Sequence, residues 1–424
     1  MKKLLILSYY FPPMGMGGTQ RVASFVKYLP SLGWQPTVIT VKQVAYHASD
    51  QAILKQIGNA RIVRTGSLDP LRLAAKWRSQ QSGNAGGSAS SKQQLARKAI
   101  NFMLLPDNKI LWNPFLLHEA RKLLAGEQFD AILSTGPPHS THLAASKLAK
   151  RFRLPWIADF RDTWAGGDFQ AKSTRAHTAI DGLLQKRVLH NADAVIAVSA
   201  GLADTLARSV PEAADKISII TNGYEPDDFG EPASEPNDFF RIAHIGTTGN
   251  FVQPALAIRA FRIFVEDAGL SPTEARLSFV GADLDGKLQA LIAESGISDS
   301  VEITGYVPHD QAVRYLQKSD VLLFLASGHP SAGFIPGKTF EYLAARKPIL
   351  AISEPIEGLN LLQKTGLLRH ALPDDVPAAV NALKAFFSEK QKGTPRSPGD
   401  FDIQPYSREN LTRKLVAVLE AVCR

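Results

Sequence analysis

Along this chain of 424 residues, short apolar runs alternate with amphipathic stretches. Leu4–Ser8 reads as a buried strand. Val22, Phe25, Val26 and Leu29 then recur at helical spacing, and Gly33 stands where a helix would be capped. Strands are predicted again at Pro36–Val41, Arg61–Val63, Ala131–Leu133, Trp156–Asp159, Ala194–Val198 and Ile217–Ile220, with helices between most of them. Over 224–238, three prolines and several acids read as a linker. The alternation restarts with strands at Arg241–Ile245, Leu277–Val280, Val301–Ile303, Val321–Leu325 and Pro348–Ile352, and with helices such as Pro254–Asp267 and Gln311–Lys318. Apolar runs followed by amphipathic helices are the signature of a parallel, doubly wound α/β sheet. The expected architecture is two Rossmann-like domains in series, 1–225 and 238–405, then a last helix over 406–424 with Ser407 as its N-cap. Leu411, Leu415 and Leu419 give that helix an apolar stripe, which either domain can cover.

One insert, about 79–105, interrupts the pattern. Ser79–Ser91 is rich in Ser, Gly and Gln, and Lys92, Arg97 and Lys98 precede an apolar run that includes Phe102, Met103 and Leu104. A mobile segment leading into a basic and apolar helix suits docking at a membrane interface; a core helix behind a loose loop is the alternative. Charge adds to the first reading. The net charge is +8, but the first 230 residues carry 28 Lys+Arg against 17 Asp+Glu, a net of +11, and the rest is −3. A basic half suits an anionic partner. Aromatic-rich RNA-binding signatures and zinc-finger spacings are absent, so an anionic membrane surface is preferred to nucleic acid. The one cysteine, Cys423, permits no disulfide framework and no cysteine metal site within the chain. Leu4–Leu7 is too short for a signal peptide, and no run approaches the ~18 apolar residues of a membrane helix. A cytoplasmic protein, peripheral at the inner face of the membrane, is expected.

Candidate chemistry gathers at Ile335–Ala345. A glycine-bearing loop there meets a helix start, where free N–H groups and the helix dipole favour an anion such as a diphosphate. Gly337, Lys338 and Thr339 form that start, and Lys338 adds a full charge. Glu341 lies on the same helical face and suits sugar hydroxyls, so one short helix can hold the diphosphate and ribose of a nucleotide. A P-loop is excluded because position 332 is Ala. Glycines also follow strands at Gly246-Thr247, Gly281 and Gly305-Tyr306, with Tyr306 placed to flank a base. In the first half, Gly17 and Gly18 stand in the first strand-to-helix turn, but Gln20 breaks the dinucleotide fingerprint and no acid follows the second strand, which argues against a nicotinamide or flavin cofactor. His139 follows one strand and Asp159, Arg161 and Asp162 follow the next, at carboxyl ends where α/β sheets bind ligands. A histidine and carboxylates can orient or deprotonate a hydroxyl; a structural ion pair or helix cap is the plainer reading of Arg161 and Asp162.

Tyr9–Pro13 with its glycine turn, Ser134–His139, Pro155–Trp164, Ala192–Ser199, Asn222–Tyr224, Gly305–Pro308 and Ile335–Ala345 occur in the order found in bacterial family 4 (group 1) glycosyltransferases of the GT-B fold, which the chain resembles over nearly its whole length. The resemblance implies two domains facing across a cleft, a nucleoside diphosphate sugar donor on the C-terminal one and a saccharide or lipid-linked acceptor on the other. It further implies retention of configuration, no cofactor and no required metal, in the synthesis of envelope polysaccharide or glycolipid. Glu341 matches the family glutamate that holds the donor ribose. The first family glutamate is replaced by Gly333, and the basic residue after the first C-domain strand is missing from Gly246–Gly249, leaving Lys338 as the phosphate cation. His139 corresponds loosely to an N-domain histidine, and Gly17 and Gly18 to the turn beside the diphosphate and acceptor. A nucleotide-sugar epimerase of the same fold, and a non-catalytic donor-binding homologue, are the alternatives.

Overall fold

A computed structural model describes residues 1–15, 17–42, 53–54, 57–69, 104–165, 174–230, 238–249, 252, 254–281, 283, 286–326 and 333–424. The chain forms two compact units, Met1–Thr221 with Glu409–Arg424, and Asn222–Arg408. All but Leu104 and Leu105 of the 79–105 insert lies outside the described residues, and so do Lys92, Arg97, Lys98, Phe102 and Met103.

In the first unit, strands β1 (Lys2–Leu7), β2 (Trp34–Val41), β3 (Arg61–Thr65), β4 (Ala131–Gly136), β5 (Trp156–Phe160), β6 (Ala194–Ala197) and β7 (Ile217–Ile219) pair in parallel in the order β3-β2-β1-β4-β5-β6-β7. Helices α1 (Gly17–Tyr28), α2 (Asn113–Gly126), α3 (Ser140–Phe152), α4 (Arg175–Asn191) and α5 (Ala200–Ser209) alternate with them. Successive strand residues point to opposite faces. Leu5 and Leu7 therefore join a core with Trp112, Leu116 and Trp156, while Leu4 and Ile6 join another with Val22, Phe25 and Trp34. A sheet covered on both faces has strands that are apolar throughout.

The second unit repeats the plan with β8 (Phe240–Ile245), β9 (Ala275–Val280), β10 (Val301–Gly305), β11 (Val321–Ala326), β12 (Ile349–Ser353) and β13 (Leu368–Ala371), ordered β10-β9-β8-β11-β12-β13. Its helices are α6 (Ala255–Ala268), α7 (Leu288–Ser295), α8 (His309–Lys318), α9 (Lys338–Ala345), α10 (Glu357–Gln363) and α11 (Val376–Gln391). In β11, Val321, Leu323 and Leu325 face Phe261 and Phe264, and Leu322, Phe324 and Ala326 face Phe340 and Leu343.

Two differences from the sequence reading stand out. The segment expected to be a linker is built into the second unit from its start: Tyr224 is buried, donates its N–H to the Tyr406 carbonyl at 3.1 Å and accepts from Arg408 N–H at 2.9 Å. Pro226 opens a short 3₁₀ turn, Pro226–Phe229, and 231–237 of the segment lie outside the described residues. The unforeseen strand β13 carries half-buried Leu368 and Arg369 and exposed His370, and so shows no apolar run. The final helix, α12 (Arg408–Val422), lays Leu411, Leu415 and Leu419 into the Leu4/Ile6 core of the first unit.

Candidate active site

In each sheet the strand order reverses beside the first strand of the unit, between β1 and β4 and between β8 and β11. Ligands of open α/β sheets sit at the carboxyl ends of strands at such a reversal. In the second unit, β8 is followed by Gly246, whose N–H donates to the Val280 carbonyl at 2.8 Å. A Cβ on Gly281 would lie 2.2 Å from the Gly246 carbonyl oxygen, and Gly281 has φ +143°. Only glycine permits this backbone-to-backbone approach.

Lys338 opens α9 and reaches back over this turn. Its Nζ donates to the Leu325 carbonyl at 3.2 Å, lies 3.5 Å from His244 Nε2 and sits 5.6 Å from the Phe324 ring centre. His244 Nδ1 is 3.0 Å from the Leu323 carbonyl, which places the proton on Nδ1 and leaves the Nε2 lone pair toward the lysine. Among the described residues no carboxylate pairs with Lys338, and burial pulls its pKa down to about 7. Burial and the neighbouring lysine likewise bring His244 down to about 3, so it is a neutral partner. A desolvated cation without a counter-ion, at a helix N-terminus, is a strong anion site. Thr247 is exposed beside it. The Thr339 hydroxyl is buried and has no hydrogen-bond partner among the described residues, and its N–H donates to the Pro336 carbonyl at 3.0 Å.

Glu341 projects from the next turn of α9, with Oε1 3.9 Å from His309 Nδ1. The other ring nitrogen of His309 lies 2.7 Å from Asp228. Burial opposes the charge on His309, but the Asp228 hydrogen bond and the two carboxylates prevail and raise its pKa. Tyr306, 40 % exposed, closes β10 just before this histidine.

In the first unit, α1 begins at Gly17, after β1. The Arg161 guanidinium donates to the carbonyls of Gly18, Gly136 and Pro137, tying the turn after β1 to the loop after β4. A Cβ on Gly18 would stand 3.1 Å from that guanidinium. Arg161 is thus a clamp on backbone rather than a free cation. Asp159 is not the available carboxylate expected of it. It is fully buried, takes two bonds from Arg21 at 2.8 and 3.2 Å and a third from Thr135 at 2.8 Å, and so belongs to the framework. His139 is buried in a stack on Trp164, with ring centres 4.9 Å apart, and its Nδ1 has no partner. Burial, then His142 and Arg161, hold its pKa well below the usual histidine range, so it is a neutral acceptor. His142, which sequence reasoning overlooked, bonds Ser134 at 2.8 Å. Asp162 is half-buried, and burial, tempered by Arg161, lifts it to about 6. Of His139, Asp159 and Asp162, it is the one whose environment suits transfer near neutral pH.

The family "Glycosyl transferase 4-like domain" matches residues 16–223, and "Glycosyl transferases group 1" matches 242–388. Amylovoran biosynthesis glycosyltransferase AmsK of Erwinia amylovora is 25% identical over 145 residues, 32% of this chain and 34% of that protein. That alignment spans about a third of the curated relative's length. The crystal structure of a glycosyltransferase from Rickettsia africae aligns over 100% of this chain and 99% of its own at 15% identity, with a TM-score of 0.65. Anabaena HepE, solved in complex with UDP and glucose, aligns over 99% and 100% at 14% identity, with a TM-score of 0.64. With both domain families in sequence on two parallel-sheet units, the chain belongs to the group 1, family 4 glycosyltransferases of the GT-B fold.

Proposed function

We propose that this glycosyltransferase moves a sugar from a nucleoside diphosphate sugar, held by the Asn222–Arg408 unit, to an acceptor hydroxyl. The observation that carries the reading is Lys338, a half-buried amine at the head of α9 that pairs with no carboxylate among the described residues. HepE, with UDP and glucose bound, is a fold relative that supports this ligand class. In the reaction the bond from the anomeric carbon to the diphosphate breaks, the acceptor oxygen attacks from the same face, and its proton passes to the departing phosphate oxygen. Lys338 and the amides at the head of α9 stabilise the charge that develops there. Configuration is retained, and this scheme asks for no metal. Glu341 accepts from the donor ribose.

The likeness to AmsK supports an envelope polysaccharide or glycolipid product. Among the described residues no helix is long and apolar enough to cross a membrane. The net of +11 over the first 230 residues suits transient docking on anionic lipid at the cytoplasmic face, where a lipid-linked acceptor would be met.

The test is calorimetry with a panel of nucleotide sugars and nucleotides. Lys338→Ala should weaken nucleoside diphosphates and nucleotide sugars by about 1.5–3 kcal/mol, the worth of hydrogen bonds to a charged group, and nucleoside monophosphates less. Equal losses for all three ligands would remove the diphosphate contact. Nucleotide release that requires no acceptor would favour an epimerase, and binding without turnover a non-catalytic homologue.

A further inference from the structure

The role proposed for Glu341, as the ribose carboxylate, is the ground on which a role for its neighbour His309 rests. A carboxylate binds a vicinal diol well only if it is held still, because each side-chain rotamer it must give up costs binding free energy. Glu341 stands on α9 with 18% of its side chain exposed, and its one ion-pair contact among the described residues is His309 Nδ1, at 3.9 Å. His309 is itself fixed. It is the first residue of α8, directly after the Tyr306–Pro308 loop, and Asp228 holds its other nitrogen at 2.7 Å. Asp228 belongs to the 3₁₀ turn Pro226–Phe229, a few residues after the boundary between the two units. One imidazole thus joins the entry segment of the unit, the loop proposed to flank the base, and the helix proposed to hold ribose and diphosphate.

We propose that His309 is a positioning residue for the donor ribose: anchored by Asp228, its protonated ring holds the Glu341 carboxylate in the orientation that accepts from the sugar hydroxyls. One ring nitrogen is hydrogen-bonded to Asp228, and the Glu341 carboxylate lies 3.9 Å from the other, a distance at which charge rather than a hydrogen bond holds it, and only the imidazolium carries that charge. The charged groups acting on it are Asp228 from the 3₁₀ turn, Glu341 from α9 and, in opposition, Arg408 at the end of the unit. Because the folded-state pKa of His309 is raised, the ring stays charged through and somewhat above the ordinary histidine range. Ribose recognition is therefore complete at lower pH and declines as pH rises through the His309 pKa.

The experiment compares a nucleoside diphosphate with its 2′,3′-dideoxy form, using whichever of UDP, GDP or ADP gives the largest thermal shift. The ratio of the two affinities isolates the ribose hydroxyls; ionisation of the ligand phosphate and of Lys338 acts on both ligands and cancels. Wild-type protein should prefer the ribose form by about tenfold or more, since a hydrogen bond to a charged group is worth at least about 1.4 kcal/mol. Glu341→Ala should abolish that preference at every pH. His309→Gln, which keeps a donor for Asp228 but carries no charge, should reduce it several-fold and flatten its pH dependence. Asp228→Asn should retain the preference at low pH and move its midpoint downward, since it removes an anion that stabilises the imidazolium. This shift is readable even if His309→Gln unfolds. Should Glu341→Ala leave the preference intact, the ribose reading itself fails. If Glu341→Ala abolishes it while the His309 and Asp228 variants match wild type across pH, ribose recognition stands and the role of His309 is overturned. Absence of binding by all three diphosphates overturns both.

Discussion

At the scale of single residues, ionisable groups divide by what they face. Asp159 and Arg21 face one another, with 0% and 4% of their side chains exposed, and Arg21 also donates to the Ile220 and Thr221 carbonyls. Such a pair holds strand β5, helix α1 and the end of the first unit together. Removing one partner strands a buried charge. Asp159→Asn should therefore cost about 3–5 kcal/mol of stability, seen as a lower midpoint in urea unfolding. An active variant of wild-type stability would instead show that the pair is dispensable. Lys338 is the converse case: a half-buried amine that meets, among the described residues, a carbonyl, an imidazole and a ring but no carboxylate. Arg21 and Lys338 look alike in sequence, as basic residues after glycine-bearing turns. What separates them is an ion pair 138 residues apart, which no local pattern displays. The same holds for His309 and Asp228, 81 residues apart.

At the scale of elements, every strand but β13 was legible from its short apolar run, and their ends fell within three residues of the expected positions. The glycines at the carboxyl ends were legible too, although their reasons differ. Gly305 has φ +68° and open space around it, whereas Gly281 adds to its φ of +143° a Cβ position 2.2 Å from the Gly246 carbonyl oxygen. Backbone cannot swing away as a side chain can. Gly305→Ala should cost about 1–2 kcal/mol of backbone strain and leave donor binding in place. Gly281→Ala should add a steric cost of about 1–3 kcal/mol, and by displacing Gly246 beside Lys338 it should weaken nucleoside diphosphates as well. Melting temperatures and calorimetry on the two variants separate strain from clash. Equal behaviour would mean that the 246 and 281 loops are free to part. His244 left a faint trace in sequence, as the one imidazole inside an apolar strand just before a glycine. That pattern reads equally well as a satisfied core histidine, and only its 3.5 Å approach to Lys338 gives it a role.

At the scale of the whole molecule, the chain's order in sequence departs from its order in folding. The apolar stripe of α12 was evident from its leucine spacing, but that spacing is silent on which unit it covers. Leu411, Leu415 and Leu419 are each at most 3% exposed, and they lie with Leu4, Ile6, Phe25 and Trp34. Trp34 Nε1 donates to Glu420 at 3.1 Å, and Lys2 pairs with the same carboxylate at 2.5 Å. The exposed ion pair adds little; the leucines carry the attachment, at about 2–5 kcal/mol for each one cut back to alanine. The first unit is therefore incomplete in residues 1–221, while 222–408 contains its whole sheet and both of its cores. Expressed alone, 222–408 should unfold cooperatively and bind a nucleoside diphosphate. Fragment 1–221 should be poorly folded until a peptide of residues 409–424 is added, and the peptide should raise its melting temperature in proportion to the logarithm of its concentration once saturating. A peptide with Leu415→Ala should bind more weakly by the same 2–5 kcal/mol. If 1–221 folds to full stability without the peptide, α12 only decorates the first unit, and its burial counts for far less than three leucines should.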